Sequence, residues 1–302
     1  MRVYLRRLGV LYGVMTTAAQ VRASFKRIVA SEPPVVMPGA HDPLSARIVE
    51  AAGFSGTYIG SYATSAAAHG LPDVGALTLT ELAEHAQRVS RAVSVPVLAD
   101  AEAGFFDAAN VWRTVQAFEE AGVCGVHIED HAGGKHTSLG TALRPLDEAL
   151  AVLRAALAAR TDPDFQVIGR TDAVWATGDL DEGLRRVQAF AEAGVDMVFP
   201  TGIAPEQLSL VRAEIPCPVM VLGDLPASSV RAMADAGADV IVYYSFTLSA
   251  ATRGVDRALQ RLRETGDVRE LVAELEDAPT LEARLGYDEY VDRAHRYGDQ
   301  RR

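Results

Sequence analysis

The sequence predicts an α/β protein: a single closed (β/α)8 barrel of the TIM type, followed by extra helices. Three observations predict it. Four apolar helical stretches end in an Ala-Gly pair, and a short β-branched run follows each pair. Eight such runs alternate with helical patterns along the chain. After the last run the sequence reads as helical to its end.

The pairs are Ala52-Gly53, Ala121-Gly122, Ala193-Gly194 and Ala236-Gly237. A glycine just past a helix supplies the left-handed residue that stops it, so each pair marks a helix-to-strand junction. The predicted strands cover residues 34–37, 56–59, 95–98, 124–128, 166–168, 195–199, 219–222 and 238–242. All are short and apolar throughout, as strands buried on both faces must be. Between them, Leu82, Ala86, Val89 and Val93 form one helical stripe, and Val111, Val115, Phe118 and Ala121 another. Eight strands alternating with helices favour a closed barrel over an open sheet. Beyond Ser245 the pattern predicts helices over 247–263, 268–275 and 281–296. Residues 21–302 form the single predicted domain, and residues 1–20 read as an N-terminal extension.

The 302 residues carry 40 acidic and 29 basic side chains, a formal net charge of −11. Such a surface argues against nucleic acid and anionic membranes as partners. No apolar stretch is long enough to span a bilayer. Cys124 and Cys217 both fall in strand-like runs, which suggests small core residues in a reducing, cytoplasmic setting. Arg2, Arg6 and Arg7 ahead of the apolar run 8–15 outline an export signal, but the run is short and holds Gly9 and Gly13. An extension ahead of an alternative start at Met15 fits it better.

In such a barrel the C-terminal strand ends converge on one mouth. Those ends bring together Tyr58, Gly60 and Ser61 after the second strand, then Asp100 and Glu102, Glu129, Arg170, Thr201 and Asp224. Asp100, Glu102 and Glu129 come from adjacent strands, where three carboxylates repel one another unless a cation sits among them. Hard oxygen donors in that number suit Mg²⁺, or Mn²⁺ in its place. A structural ion-pair cluster closing the barrel is the alternative reading of the same residues. Arg170 presents a planar fork suited to a carboxylate. His127 reads as a core histidine, Tyr243 and Tyr244 as rim packing, and Asp42 as either a helix cap or a substrate contact.

Several motifs occur in order from about residue 32 to 290: Pro38-Gly-Ala-His-Asp42, Gly60-Ser61, Gly70-Leu-Pro-Asp73, Asp100-Ala-Glu-Ala-Gly104, His127-Ile-Glu-Asp130, Lys135-His-Thr-Ser-Leu139 and Gly169-Arg-Thr-Asp-Ala173. Together they resemble the isocitrate lyase / phosphoenolpyruvate mutase superfamily, especially its short methylisocitrate lyase, oxaloacetate decarboxylase and phosphonopyruvate hydrolase branches. The resemblance implies a Mg²⁺-dependent lyase that cleaves a C–C bond next to an α-oxo or 2-hydroxy carboxylate through an enolate. Asp100 would bind the metal directly, with Glu102 and Glu129 holding its waters. Tyr58, Gly60, Ser61, Arg170, Thr201 and Asp224 would contact the small carboxylate substrate. Asp73, Lys135, His136 and Thr137 are the implied catalytic candidates, the last three on a lid over 129–144. The resemblance also implies a homo-oligomer, a tetramer or dimer of dimers, with a helix exchanged between subunits.

The motifs also depart from the family pattern. Glu102 stands where the family has a second Asp, and Thr137 where the lyases carry a cysteine on the lid. A threonine hydroxyl is far too weak an acid to replace that thiol. Thr201 and Asp224 replace a Glu and an Asn of the lyases. These departures point away from the best-known substrates. They leave open C–P bond chemistry on a phosphonopyruvate-like compound, or a barrel that binds a small acid without turning it over.

Overall fold

The computed structural model describes residues 17–133, 135, 142–223 and 228–298. Eight parallel strands follow one another around a ring: β1 (Val35–Pro38), β2 (Thr57–Ile59), β3 (Val97–Asp100), β4 (Gly125–Glu129), β5 (Gln166–Thr171), β6 (Met197–Pro200), β7 (Met220–Leu222) and β8 (Val240–Tyr243). Ladders join β2 through β6 in sequence, and a second set joins β7 to β8 to β1. Single parallel bridges, Gly39 with Tyr58 and Val198 with Val219, close the two gaps. The predicted barrel is therefore present, with each strand within two or three residues of its predicted bounds.

The junction glycines behave as the sequence requires. Gly53, Gly122, Gly194 and Gly237 have φ of 89°, 87°, 94° and 91°, a left-handed backbone that a side chain would strain. Asp42 caps helix Pro43–Ala51, accepting a hydrogen bond from the Ser45 N–H at 2.6 Å.

The core has two layers. Inside the ring, Met37, Leu98, Cys124, Ile168, Met197, Met220 and Val240 fill the barrel. Outside it, residues such as Leu82, Val115, Phe118, Phe165 and Phe190 pack the helices onto the strands. Helix Ala18–Ser31 covers the N-terminal end of the barrel and inserts Phe25 into the inner layer. Its buried Arg22 donates to the carbonyl of Val123 at 2.9 Å and to that of Glu119, and pairs with Asp162 at 3.0 Å. That end is therefore sealed, and the opposite mouth is left for chemistry.

The C-terminal region differs from expectation in two elements. Residues 268–275 form turns rather than a helix, because Leu271 alone of that stretch is buried and its apolar neighbours have nothing to pack on. The predicted helix over 281–296 is two, Ala278–Leu285 and Tyr287–Tyr297, broken at Gly286 with φ of 74°. Together with helix Phe246–Thr265 they expose Phe246, Val255, Leu259 and Tyr290, each at least 59 % accessible. Among the described residues no helix is long and apolar enough to cross a membrane.

Candidate active site

Asp100 is the last residue of β3, and the chain turns sharply after it. Glu102 adopts φ of 50°, a left-handed conformation uncommon outside glycine. That turn lets the Glu102 N–H donate to Asp100 Oδ1 at 2.8 Å, and aims both carboxylates into the mouth. Ser61, at the start of helix Ser61–Thr64, donates to Asp100 Oδ2 through its N–H at 3.2 Å and its hydroxyl at 2.9 Å. Glu129 ends β4. One oxygen from each of Asp100, Glu102 and Glu129 lies within 4.8 Å of the others, and all three residues are buried.

Two cations face this cluster. Lys135 Nζ lies 2.8 Å from Glu102, 3.6 Å from Glu129 and 3.6 Å from Asp73, and donates to Ser61 Oγ at 3.1 Å. Arg170, on β5, pairs with Glu129 at 2.9 Å and grips Asp172 with a two-pronged contact at 2.8 and 3.0 Å. Asp172 also accepts from the Thr201 hydroxyl at 2.6 Å. Below them, the Tyr58 hydroxyl meets His127 Nε2 at 2.7 Å, and that nitrogen lies 3.8 Å from Asp100.

The electrostatics show how crowded the anions are. Burial pushes Glu129 up to about 8, against the pull of Arg170 and Lys135. Burial, with Asp100 next, also raises Glu102. Burial would raise Asp100 as well, but His127, Lys135 and Arg170 outweigh it and hold that carboxyl well below its usual range. His127 is itself pushed down to about 4 by burial, so it helps hold Asp100 down only at acid pH, and near neutrality Lys135 and Arg170 supply the field. The acids around Lys135 raise its ammonium further, against burial, so it stays charged.

Among the described residues, five carboxyl groups (Asp73, Asp100, Glu102, Glu129 and Asp172) crowd Lys135 and Arg170 in a buried pocket. Buried charge without a counter-charge is costly, so the donor set fits a divalent cation among Asp100, Glu102 and Glu129. The cleft above has a cavity volume of about 120 Å³.

The whole barrel matches one family model, Phosphoenolpyruvate phosphomutase, over residues 25–263. The chain belongs to that family. It is 30 % identical to the 2-methylisocitrate lyase of Shewanella oneidensis over 286 residues, covering 92 % of this chain and 97 % of the relative. It is 39 % identical to the oxaloacetate decarboxylase of Bradyrhizobium diazoefficiens over 243 residues, covering 79 % and 84 %. A phosphonopyruvate hydrolase solved with oxalate and Mg²⁺ superposes with a TM-score of 0.84 at 27 % identity, covering 93 % of this chain and 99 % of that one. Members of the family use a divalent metal ion, and the buried acid cluster could hold one here.

The residues predicted for this family site are largely gathered at one mouth. Tyr58, Gly60, Ser61, Asp73, Asp100, Lys135, Arg170 and Thr201 all line the cleft, and Glu102 and Glu129 stand behind Lys135. His136, Thr137 and Asp224 lie outside the described residues. Two placements refine the expected roles. The Ser61 N–H and hydroxyl are directed at Asp100, so Ser61 braces the acid cluster. Thr201 braces Asp172, and through it Arg170. Sequence reasoning assigned no role to Asp172. The signal was there: Arg170 and Asp172 are two apart at a strand end, which puts both side chains on one face. The apolar residues Tyr62, Phe199 and Leu222 in the cleft lining were also missed.

Proposed function

We propose that this protein is a Mg²⁺-dependent carbon–carbon lyase acting on a small α-oxo or 2-hydroxy dicarboxylate. The observation that carries the reading is the buried trio Asp100, Glu102 and Glu129, with oxygens within 4.8 Å of one another and, among the described residues, Lys135 and Arg170 as the cations beside them. The named lyase and decarboxylase relatives support the reaction class.

In this reading the bond beside the carbonyl or carbinol carbon breaks, and its electron pair collects as an enolate. A bound divalent ion supplies positive charge beside the developing oxyanion. Asp100 and the waters held by Glu102 and Glu129 would keep that ion in place. Arg170, fixed by Asp172 and Glu129, presents its remaining N–H groups to a substrate carboxylate. Lys135 stays protonated among the acids, so it positions and neutralises rather than delivering a proton. For a 2-hydroxy acid, Asp73 beside Lys135 is placed to take the hydroxyl proton as the new carbonyl forms and to pass it to the carbon of the departing enolate. His136 and Thr137, proposed from the sequence for the same step, lie outside the described residues. Gly60 leaves room for close approach, since a Cβ there would meet the Tyr58 ring at 3.1 Å. The exposed apolar residues of the C-terminal helices support the homo-oligomer implied by the sequence.

The test is release of pyruvate or glyoxylate from a panel of 2-hydroxy and 2-oxo diacids with Mg²⁺, with phosphate release from phosphonopyruvate measured in parallel. Metal-dependent release of the oxo acid is expected. Phosphate release alone would move the protein to C–P chemistry, and no turnover of either kind would remove the lyase reading.

A further inference from the structure

A buried ion pair stands behind the acid cluster, in the wall of the barrel. Arg186 lies on helix Leu180–Glu192, yet it is only 6 % exposed, and its Nη1 meets Asp130 at 3.0 Å. A buried ion pair adds little stability over apolar packing. What this pair adds is geometry. One Asp130 oxygen accepts from the Asp172 N–H at 3.0 Å, and the other accepts from the Thr171 hydroxyl at 2.6 Å as well as from Arg186. Thr171 Oγ1 accepts in turn from the Ala173 N–H at 3.2 Å. Asp130 thereby fixes the backbone over 171–173, and with it the Asp172 carboxylate that holds the Arg170 fork.

The same Arg186 Nη1 donates to the Arg144 carbonyl at 3.0 Å, while its Nε is held by Glu182 at 2.6 Å. Asp130 and Arg144 are the two sides of a narrow neck. The Arg144 N–H donates to the Asp130 carbonyl and the Ala132 N–H to the Ala142 carbonyl, each at 2.7 Å, with His131 bridged to Leu143 between them. The chain that leaves β4 through this neck carries Lys135 to Glu102 and Asp73. One guanidinium therefore joins both sides of the neck to an outer helix and heads the contacts that place Arg170. A carboxylate gripped by parallel N–H groups tolerates little misdirection of the fork, so the anchoring matters for binding.

We infer that Arg186 is a positioning residue for this site: through Asp130 and Asp172 it sets the direction of the Arg170 fork, and through the Arg144 carbonyl it holds the neck from which Lys135 reaches the acids. It lies outside the cleft lining and acts through these two cations. The inference rests on the lyase reading in taking a substrate carboxylate as what Arg170 grips, but the anchoring itself acts on any small carboxylate bound there.

The test uses the full chain with oxalate as the probe. Arg186→Met removes the bridge but strands the buried Asp130 carboxylate. Arg186→Met combined with Asp130→Asn removes both charges together, keeps an oxygen for the Asp172 N–H, and is expected to stay folded. In these variants, oxalate binding to the Mg²⁺-loaded protein, measured by calorimetry, is expected to weaken by ~10-fold or more, the scale of losing a supporting contact. Mn²⁺ binding, followed by electron paramagnetic resonance, is expected to be unchanged, because the acid trio is left intact. Hydrogen exchange should quicken in peptides covering 130–133 and 142–145 and stay slow in β3 and β6. Adding Asp172→Asn should weaken oxalate binding little further, since both changes act through Arg170. Unchanged oxalate affinity in a folded variant without Arg186 would overturn the inference. So would a loss that multiplies with that of Asp172→Asn, or a loss of Mn²⁺ binding alongside it, either of which makes Arg186 general scaffolding. If oxalate binding and exchange change as expected but no diacid is turned over by the unaltered protein, the lyase reading fails and the inference stands.

Discussion

The two halves of the barrel mouth are built from the same kind of strand end and do opposite things. From β2 to β5 the ends carry Ser61, Asp100, Glu129 and Arg170, tied into one network by contacts of 2.8 to 3.6 Å. Among the described residues, the ends from β6 to β8 carry Phe199, Leu222 and Tyr244, with Thr201 turned back onto Asp172. The difference follows from what each kind of group needs when buried. Charges are tolerated in a barrel mouth only when each has a partner, so the acid half is over-determined, and moving one member disturbs the rest. Apolar side chains need only area, so the other half can vary in shape while the chemistry is kept.

The contrast is broken most severely by Asp100→Ala. It removes the acid that Ser61, the Glu102 N–H and Lys135 are arranged around, and turnover with Mg²⁺ is expected to fall by ~1000-fold or more, the scale of losing a group that stabilises developing charge. Retained turnover would mean that the acid half is only structural. A smaller effect is expected from Asp172→Asn, which keeps the shape but turns an amide N–H toward the Arg170 fork. A loss of ~10- to 100-fold in kcat/KM, mainly through KM, is the expected cost of loosening a supporting contact. A change confined to kcat would show that Arg170 is not gripping substrate in the ground state.

The smallest effect belongs to the barrel body, outside both halves. His85, buried on helix Leu79–Ser90, is pushed from 6.5 down to about 4 by burial, with Arg88 adding to it. The folded protein therefore keeps this ring neutral where the unfolded chain takes up a proton. Its contribution to stability is complete above about 6.5 and is lost as the pH falls toward 4. Thermal melts of the unaltered protein and of His85→Gln between pH 7 and 4 should converge on acidification, and parallel curves would contradict the assignment.

The comparison also explains what could be read in the sequence. The barrel was legible because its junctions depend on backbone chemistry: Gly53, Gly122, Gly194 and Gly237 must adopt a conformation that few other residues accept. The acid half was legible because Asp100, Glu102 and Glu129 are charged residues at the ends of apolar strands, where nothing but a site or an ion-pair cluster would hold them. The apolar half was not. Phe199, Leu222 and Tyr62 look in sequence like any residue of the core, and only the fold separates a side chain facing the cleft from one facing a helix. Residues 268–275 were misread for a related reason: their apolar spacing is helical, but Val268, Val272 and Leu275 have no surface to pack against within one chain.

The central claim is that the oxygens of Asp100, Glu102 and Glu129 hold one divalent ion. It is tested most directly by titrating the metal-free protein with Mn²⁺ and following the free ion by electron paramagnetic resonance, with Mg²⁺ as competitor. The account predicts one ion per chain, displaced by Mg²⁺ and lost in Asp100→Asn. An unaltered protein that binds no ion, or an Asp100→Asn protein that binds it equally well, would contradict it.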